Sequence, residues 1–256
     1  MITAGIDMGA KTIKVVILKD GEIIGKSIVI GGLDQKKSAE EAVEKAVAEA
    51  GITRDQIEKM VATGAGRGEV DFADSDITEV GADAKGAIKL YPSARTVIDV
   101  GAEEGRGIRI DSAGKVVDFS INEKCAAGAG SFTESMARAL EVPLEELGPL
   151  SLKSTQEVPM NAQCAVFAES EVVTMVHNKI PKEDMARAVH DAIASRITSM
   201  VRKVGFEKDV VLIGGLAHNV GFVKSLEKDL ETEVMIPEQP EFVGALGAAI
   251  AASGGA

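Results

Sequence analysis

A repeated hairpin constrains the fold of this chain more than any other feature. The segment Ile98-Asp-Val-Gly-Ala102 matches Ile6-Asp-Met-Gly-Ala10, and the β-branched runs that follow the two segments align once a short gap is allowed. Duplicated supersecondary units indicate a fold built from related parts. The repeat therefore predicts an α/β chain with two related lobes, each offering an Asp-x-Gly turn to a shared cleft.

These turns suit the binding of a nucleotide. A glycine-rich turn lets the backbone approach phosphate oxygens and present N–H groups to them, and the aspartates beside the turns, Asp7 and Asp99, suit a Mg²⁺ ion carried by the nucleotide. A third glycine-rich strand end, at Gly214 and Gly215, leaves a surface free of side chains for a base or a ribose. One Asp-x-Gly sequence is usually only a turn, so the prediction depends on the duplication.

The chain has two cysteines, and each stands just before a segment of helical periodicity. Cys125 lies in Asn122-Glu-Lys-Cys-Ala-Ala-Gly-Ala-Gly130, and Cys164 follows Asn161-Ala-Gln163. Taken alone, such thiols are more often buried small hydrophobic residues, with metal ligation and redox chemistry as the alternatives in a reducing compartment. Their common setting favours one shared explanation.

Composition argues against several classes of function. The formal net charge of −12, the single Tyr and the absence of Trp are unfavourable for a nucleic-acid surface. The N-terminus lacks a signal-peptide pattern, and the apolar C-terminal run is interrupted by glycines and too short for the ~20 residues of a membrane span. We therefore expect a cytoplasmic protein without nucleic-acid or membrane contacts. The scattered histidines, His177, His190 and His218, lack metal-ligand spacing and are expected to be surface or core residues.

With these residues in place, the chain resembles the sugar-kinase, Hsp70 and actin-like ATPase superfold. Within it, the chain is similar to the activator ATPases of 2-hydroxyacyl-CoA dehydratases and the ATPase subunits of benzoyl-CoA reductases. The two cysteine motifs are the specific signals. The other matching motifs are Gly5-Ile-Asp-Met-Gly9, Thr63-Gly-Ala-Gly-Arg67, Gly214-Gly-Leu-Ala-His-Asn219 and Gly244-Ala-Leu-Gly-Ala248.

The resemblance implies a duplicated actin-like (ribonuclease H-like) fold with the nucleotide in the cleft. Residues 1–94 would form the first lobe, and residues 95–256 the second lobe with the cluster-ligating helices. A C-terminal helix at about 240–256 would pack back on the first lobe.

The implied function is an ATPase coupled to electron transfer. Two subunits would share one [4Fe–4S] cluster, and ATP hydrolysis would drive low-potential single electrons to an acyl-CoA dehydratase or reductase. The subunits would form a homodimer or a heterodimer with a homologous chain, and the electron donor would be ferredoxin-like or flavodoxin-like. The ligand count agrees, because a cubane cluster usually takes four thiolates and this chain supplies two.

The resemblance also assigns the cofactor sites for ATP or ADP, Mg²⁺ and the cluster. The first phosphate loop falls on Gly9, Ala10, Lys11, Thr12, Ile13 and Lys14. The second falls on Gly101, Ala102, Glu103 and Glu104, and the adenosine turn falls on Gly214 and Gly215. The candidate catalytic residues are Glu104, Glu103, Asp7 and Asp99, and the candidate cluster ligands are Cys125 and Cys164.

This sequence departs from the family pattern in both phosphate loops. Dehydratase activators usually carry Asp-Ile-Gly-Gly-Gln-Asp in the second loop, whereas this chain has Asp99-Val-Gly-Ala-Glu-Glu104, a form nearer the benzoyl-CoA reductase branch. Which residue positions the attacking water is therefore left open. The first loop has Ala10-Lys11 in place of the usual Ser-Thr pair, so we expect a lysine to replace one hydroxyl contact to phosphate.

An amphipathic helix is predicted at residues 38–50, with Ser38 as its N-cap and Glu41 completing a capping box.

Helices after the two cysteines are predicted at residues 131–140 and 165–176, with their N-terminal ends pointing at the anionic cluster. Phe132, Met136 and Leu140 follow one another at intervals of four residues, which predicts one buried face on the first of these helices. A helix terminus contributes at most about 2 kcal/mol, which for one electron is on the order of 85 mV. Static helix dipoles therefore adjust the reduction potential of the cluster, but they do not explain how an electron reaches an acceptor that is difficult to reduce. We expect ATP to close the two lobes and swing these helices.

Two other functions use the same predicted fold. A small-molecule kinase would treat the cysteines as core residues, although the compact chain shows no inserted substrate domain. A non-catalytic, nucleotide-dependent assembly protein would leave the cysteine settings unexplained.

Overall fold

The structure is a computed structural model that describes residues 1–122, 129–160 and 165–254. The strands are β1 (Ile2–Met8), β2 (Thr12–Lys19), β3 (Glu22–Ile30), β4 (Lys59–Thr63), β5 (Ser75–Asp76), β6 (Thr96–Val100), β7 (Gly105–Ile110), β8 (Val116–Asn122) and β9 (Val210–Ile213). The helices are α1 (Gln35–Ala50), α2 (Glu79–Leu90), α3 (Ala129–Ala139), α4 (Leu144–Ser151), α5 (Ala165–His177), α6 (Lys182–Lys203), α7 (Val220–Leu230) and α8 (Val243–Ala252).

The two sheets repeat one strand order. The first sheet runs β3-β2-β1-β4-β5, and the second runs β8-β7-β6-β9. In the first sheet β1 pairs antiparallel with β2 and parallel with β4. The predicted α/β fold with a duplicated meander is confirmed, because each half begins with three consecutive strands and then places a later strand beside the first one.

The chain divides into two compact units. The first comprises Met1–Val97, Ile110–Val117 and Pro237–Ala256, and the second comprises Ile98–Arg109 and Asp118–Ile236. The sequence-based division at residues 94 and 95 stays a prediction.

In the first unit, helices cover both faces of the sheet. Alternation along each strand sends successive side chains to opposite faces, so Val15 packs in the α1 core and Val16 packs against α8. α8 also packs against α2, and the contact is close because a Cβ at Gly247 would lie only 1.8 Å from the Ala82 carbonyl oxygen. The small residues of α8 thus serve helix packing.

The start of α1 differs from the sequence prediction, which placed the N-cap at Ser38 with Glu41 completing a capping box. The helix begins at Gln35, and the Asp34 side chain accepts a hydrogen bond from the Lys37 N–H at 2.9 Å. Ser38 instead donates its hydroxyl to the Asp34 carbonyl. Asp34 is as good a cap as serine, and the polar first turn carried no apolar periodicity that would have revealed the earlier start.

The second unit is built around α3 and α6. Phe132, Met136 and Leu140 share one buried face, as their spacing predicted. Ile193 and Ile197 of α6 join the same core. None of the helices in the described ranges is long and apolar enough to cross a membrane.

His190 lies in this core with its side chain completely buried. Within the described part of the chain neither ring nitrogen has a hydrogen-bond partner, and burial lowers the pKa of His190 from 6.5 to about 4. The unfolded chain therefore takes up a proton below pH 6.5, whereas the folded chain does so only near pH 4. Protonation consequently opposes folding as the pH falls through this window.

We expect His190 to cost the fold about 3 kcal/mol of unfolding free energy between pH 6.5 and pH 4. Urea unfolding at several pH values should show a steeper acid loss for the natural protein than for His190→Leu. His177→Gln is the matched control, because that ring is exposed at the end of α5. Equal slopes for the natural protein and His190→Leu would contradict this assignment.

Candidate functional site

The first Asp-x-Gly turn joins β1 to β2 in the first unit. Asp7 lies opposite Lys14 in the antiparallel register, and Lys14 Nζ stands 3.1 Å from Asp7 Oδ2. Both side chains are largely buried, with 16% and 14% exposure. A Cβ at Gly9 would lie 2.9 Å from both Lys14 Nζ and the Thr12 carbonyl oxygen. Position 9 of this turn therefore requires glycine. The turn also holds the ion pair between Asp7 and Lys14 beside an open stretch of backbone.

The other predicted residues of this loop are placed differently. Ala10 and Lys11 are exposed at the tip, where they are accessible to a ligand. The Ile13 side chain is fully buried in the core, so this residue can offer only its backbone.

Asp83 is a neighbour of Asp7 that the sequence did not reveal. A Cβ at Gly244 would lie 3.2 Å from Asp83 Oδ1 and 3.7 Å from Asp7 Oδ2, which places both carboxylates around the start of α8. Asp83 is 4% exposed and sits in the middle of α2 among small residues. A buried acid in an otherwise apolar helical pattern was the available signal, since such residues are rarely buried without a partner.

The second turn, between β6 and β7, is organised by Arg106. Its guanidinium donates at 2.5 Å from Nη1 to Asp99 Oδ2 and at 2.5 Å from Nη2 to Glu104 Oε2. The Arg106 side chain is only 7% exposed, and the Gly101 N–H closes the turn on the Glu104 carbonyl at 2.9 Å. Two of the four candidate catalytic carboxylates are thus fixed by one buried cation.

Arg106 was missed by the sequence reasoning. The available signal is its position two residues after Glu104, the residue just before β7, which is near enough in sequence for the two side chains to pair. The pairing with Asp99 requires the fold, because that residue lies on the neighbouring strand.

The third turn follows β9. Gly214 has φ of 86°, and a Cβ on it would lie 2.4 Å from Asp99 Oδ1 and 2.5 Å from the Val100 carbonyl oxygen. Among the described residues, nothing lies within 4 Å of the corresponding position at Gly215. The second unit therefore brings Gly214 against the second Asp-x-Gly turn, while Gly215 faces open space that a ligand can fill.

The predicted cluster ligands, Cys125 and Cys164, lie outside the described residues. The helices that follow them, α3 and α5, pack against each other and share one hydrophobic core. In the described ranges no group of three or more His, Cys, Asp or Glu side chains is arranged to hold a metal ion. An iron–sulfur cluster usually takes four thiolates, and the chain has two cysteines.

The segment before Cys164 is anchored to the start of α6. Asp184 Oδ1 accepts hydrogen bonds from Ser154 Oγ at 2.8 Å, the Thr155 N–H at 2.9 Å and the Gln156 N–H at 3.1 Å. The hydrogen bond from Ser154 is the main cause that holds the pKa of Asp184 below its usual value. This carboxylate therefore holds residues 154–156, which precede Cys164 in the chain, against the start of α6.

The first turn of α3 is hydrogen-bonded to the second Asp-x-Gly turn, and the expectation that this helix end points at an anionic cluster stays a prediction. The N–H groups of Gly130 and Ser131 donate to carbonyl oxygens of the second turn. Two donors of the first helical turn are therefore occupied within the second unit.

Comparison with known proteins shows the family to which this chain belongs. Residues 4–252 match the model of the BadF/BadG/BcrA/BcrD ATPase family. The chain is 38% identical to the 2-hydroxyisocaproyl-CoA dehydratase activator of Clostridioides difficile, over 98% of this chain and 94% of that protein. It is 34% identical to a benzoyl-CoA reductase subunit of Thauera aromatica, over 97% and 92%. Whole-chain identity is thus higher with the dehydratase activator than with the reductase subunit.

Solved structures agree with this placement. The activator of the 2-hydroxyisocaproyl-CoA dehydratase from Clostridium difficile with bound ADPNP has a TM-score of 0.92 and 37% identity, covering 98% of this chain and 94% of that one. A ROK family glucokinase from Streptomyces griseus, at 15% identity and a TM-score of 0.60 over 100% of both chains, shares the fold alone. The fold, the repeated turns and the family match together show that this chain is an ATPase of the BadF/BadG/BcrA/BcrD family.

Proposed function

We propose that this ATPase activates an acyl-CoA dehydratase or reductase by delivering single low-potential electrons to it. The observation that carries the proposal is the combination, in one family member, of two Asp-x-Gly turns with two thiols placed before helices of one core. Relatives named as dehydratase activators match over nearly their whole length, which favours an acyl-CoA dehydratase as the partner.

The nucleotide is proposed to bind at the three glycine-rich turns. Support comes from the exposed tip at Ala10 and Lys11, and from the open space beside Gly215. Backbone N–H groups of such turns suit phosphate oxygens, and Lys11 supplies a point charge. The full proposed set is Gly9, Ala10, Lys11, Thr12, Ile13, Lys14, Gly101, Ala102, Glu103, Glu104, Gly214 and Gly215.

Asp7 is the proposed carboxylate for a hydrated Mg²⁺, because it stands at the first turn and carboxylates binding this ion usually leave several of its waters in place. Glu104 is proposed to orient the attacking water. Its side chain is 31% exposed and is fixed by the buried Arg106, so it combines access with a set geometry. Asp99 is proposed to support the turn through the same guanidinium.

Cys125 and Cys164 are proposed to bind a [4Fe–4S] cluster together with two thiolates of a second chain. When bound, such a cluster supplies a one-electron carrier. A second copy or a homologous subunit related by a two-fold axis completes the ligand count. The electron donor is proposed to be a ferredoxin-like or flavodoxin-like protein.

Purification without oxygen tests this proposal. We expect a brown protein with about four iron and four sulfide per two chains, and an EPR signal after reduction. A colourless protein that transfers phosphate from ATP to a small hydroxyl compound would contradict the proposal and favour the kinase alternative.

A further inference from the structure

The first turn of α3 is fastened to the second Asp-x-Gly turn. The Gly130 N–H donates to the Gly101 carbonyl at 3.1 Å, and the Ser131 N–H donates to the Ala102 carbonyl at 3.0 Å. The Ser131 hydroxyl donates to Glu103 Oε1 at 2.5 Å. The first N–H groups of a helix have no partner inside it, so this turn supplies the acceptors that the helix lacks.

The approach of helix and turn is as close as backbone allows. A Cβ at Gly130 would lie 2.9 Å from Ala102 Cα and 3.0 Å from the Gly101 carbonyl oxygen, and these backbone atoms cannot rotate away as a side-chain tip can. Farther along, Phe132 and Met136 fix α3 in the core. A displacement of the turn is therefore passed to the first residues of the helix.

Glu103 makes this joint sensitive to charge. Its carboxylate is exposed beside the turn, and its hydrogen bond to Ser131 is of the stronger, charge-assisted kind. Phosphate oxygens bound at the turn repel the carboxylate, while the positive N-terminal end of α3 attracts it. A bound nucleoside triphosphate thus favours the arrangement in which Glu103 is held against Ser131.

We propose that Gly130 and Ser131 are positioning residues that couple occupancy of the second turn to the segment carrying Cys125. Cys125 precedes Gly130 by five residues in the chain. Triphosphate at the turn tightens the Glu103–Ser131 contact, and conversion to diphosphate loosens it. This coupling rests on the proposed function for its purpose, but the joint itself consists of described contacts within the second unit.

Amide hydrogen exchange of the whole protein reads the joint directly, because the Gly130 and Ser131 N–H groups are its hydrogen bonds. In the natural protein we expect a non-hydrolysable ATP analogue to slow exchange of these amides relative to ADP. Ser131→Ala should reduce this difference about tenfold, as expected for losing a hydrogen bond to a charged group. Ser131→Thr, which keeps the hydroxyl, should retain it.

The matched control is Ser135→Ala. Ser135 lies one turn later on α3, and its hydroxyl accepts a hydrogen bond from Arg138 instead of contacting the phosphate turn. Its variant should respond to nucleotide as the natural protein does. Gly130→Ala provides a second disruption of the joint, and should also reduce the nucleotide-dependent difference.

A second readout follows electrons transferred per ATP hydrolysed in the cluster-containing protein. We expect this ratio to fall about tenfold in Ser131→Ala and to recover in Ser131→Thr. If both the exchange difference and the ratio in Ser131→Ala equal those of the natural protein, the coupling proposal is overturned. If the protein carries no iron, the proposed function fails while amide exchange still decides whether the joint responds to nucleotide.

Discussion

Replacing Cys125 by serine should remove the bound iron and abolish electron delivery, and Cys164→Ser should do the same. Each chain carries two cysteines, so either replacement leaves a two-chain assembly with two thiolates where a cubane cluster usually takes four. Iron and sulfide analysis with EPR on protein purified without oxygen measures the loss. The expected change is from about four iron per two chains to almost none.

Nucleotide binding supplies the control for these cysteine variants. The three glycine-rich turns are separate in sequence from both cysteines, so the variants should still bind an ATP analogue and unfold at a similar temperature. A serine variant that keeps its iron and its EPR signal would contradict the assignment of that cysteine as a ligand. If a serine variant loses both its iron and its folded structure, the alanine variant at the same position would be measured in the same way.

Arg106→Gln should lower the free energy of unfolding by about 3 kcal/mol and also abolish ATP hydrolysis. Removing one partner of a buried ion pair leaves uncompensated charge, and here a single guanidinium holds both Asp99 and Glu104. For a chain of this size, the loss corresponds to a fall in unfolding temperature of roughly 6–12 °C. Thermal unfolding and ATPase rates measure the two effects.

The control for Arg106 lies on the same strand. Arg109 pairs with Glu207 at 3.3 Å, and the two side chains are 30% and 56% exposed. Exposed ion pairs contribute about 0–1 kcal/mol, so Arg109→Gln should change stability little and leave ATP hydrolysis intact. Equal stability of the two glutamine variants would refute the role given to Arg106.

The fold was predictable from the sequence where residues close together in the chain determine the local structure. The duplicated Asp-x-Gly hairpins predicted both meanders, and the spacing of Phe132, Met136 and Leu140 predicted the buried face of α3. The predicted start of α1 was wrong because two possible N-caps, Asp34 and Ser38, lie close together in the sequence. Only the later one, Ser38, precedes a clear apolar pattern. Helix propensity and apolar periodicity depend on residues that are neighbours in the sequence. They do not locate the start of a helix well where several polar residues can serve as its cap.

The candidate site was predictable only as far as its backbone turns. Resemblance assigned the glycines and carboxylates, but the cation that holds Asp99 and Glu104 emerged from the strand pairing. The packing of α2 and α8, which are far apart in the chain, brings Asp83 near Asp7 beside Gly244. The contact between Ser131 and Glu103 spans 28 residues of sequence. Such contacts follow from tertiary packing, and no local pattern encodes them.

Mixing the reduced protein with an acyl-CoA dehydratase component shows whether ATP hydrolysis drives single-electron delivery. Electron arrival at that component is followed with ATP, with ADP and with a non-hydrolysable ATP analogue. We predict sustained transfer with ATP alone. Equal electron transfer with ADP, or ATP hydrolysis that never reduces the dehydratase component, would contradict the proposal that ATP hydrolysis drives this transfer.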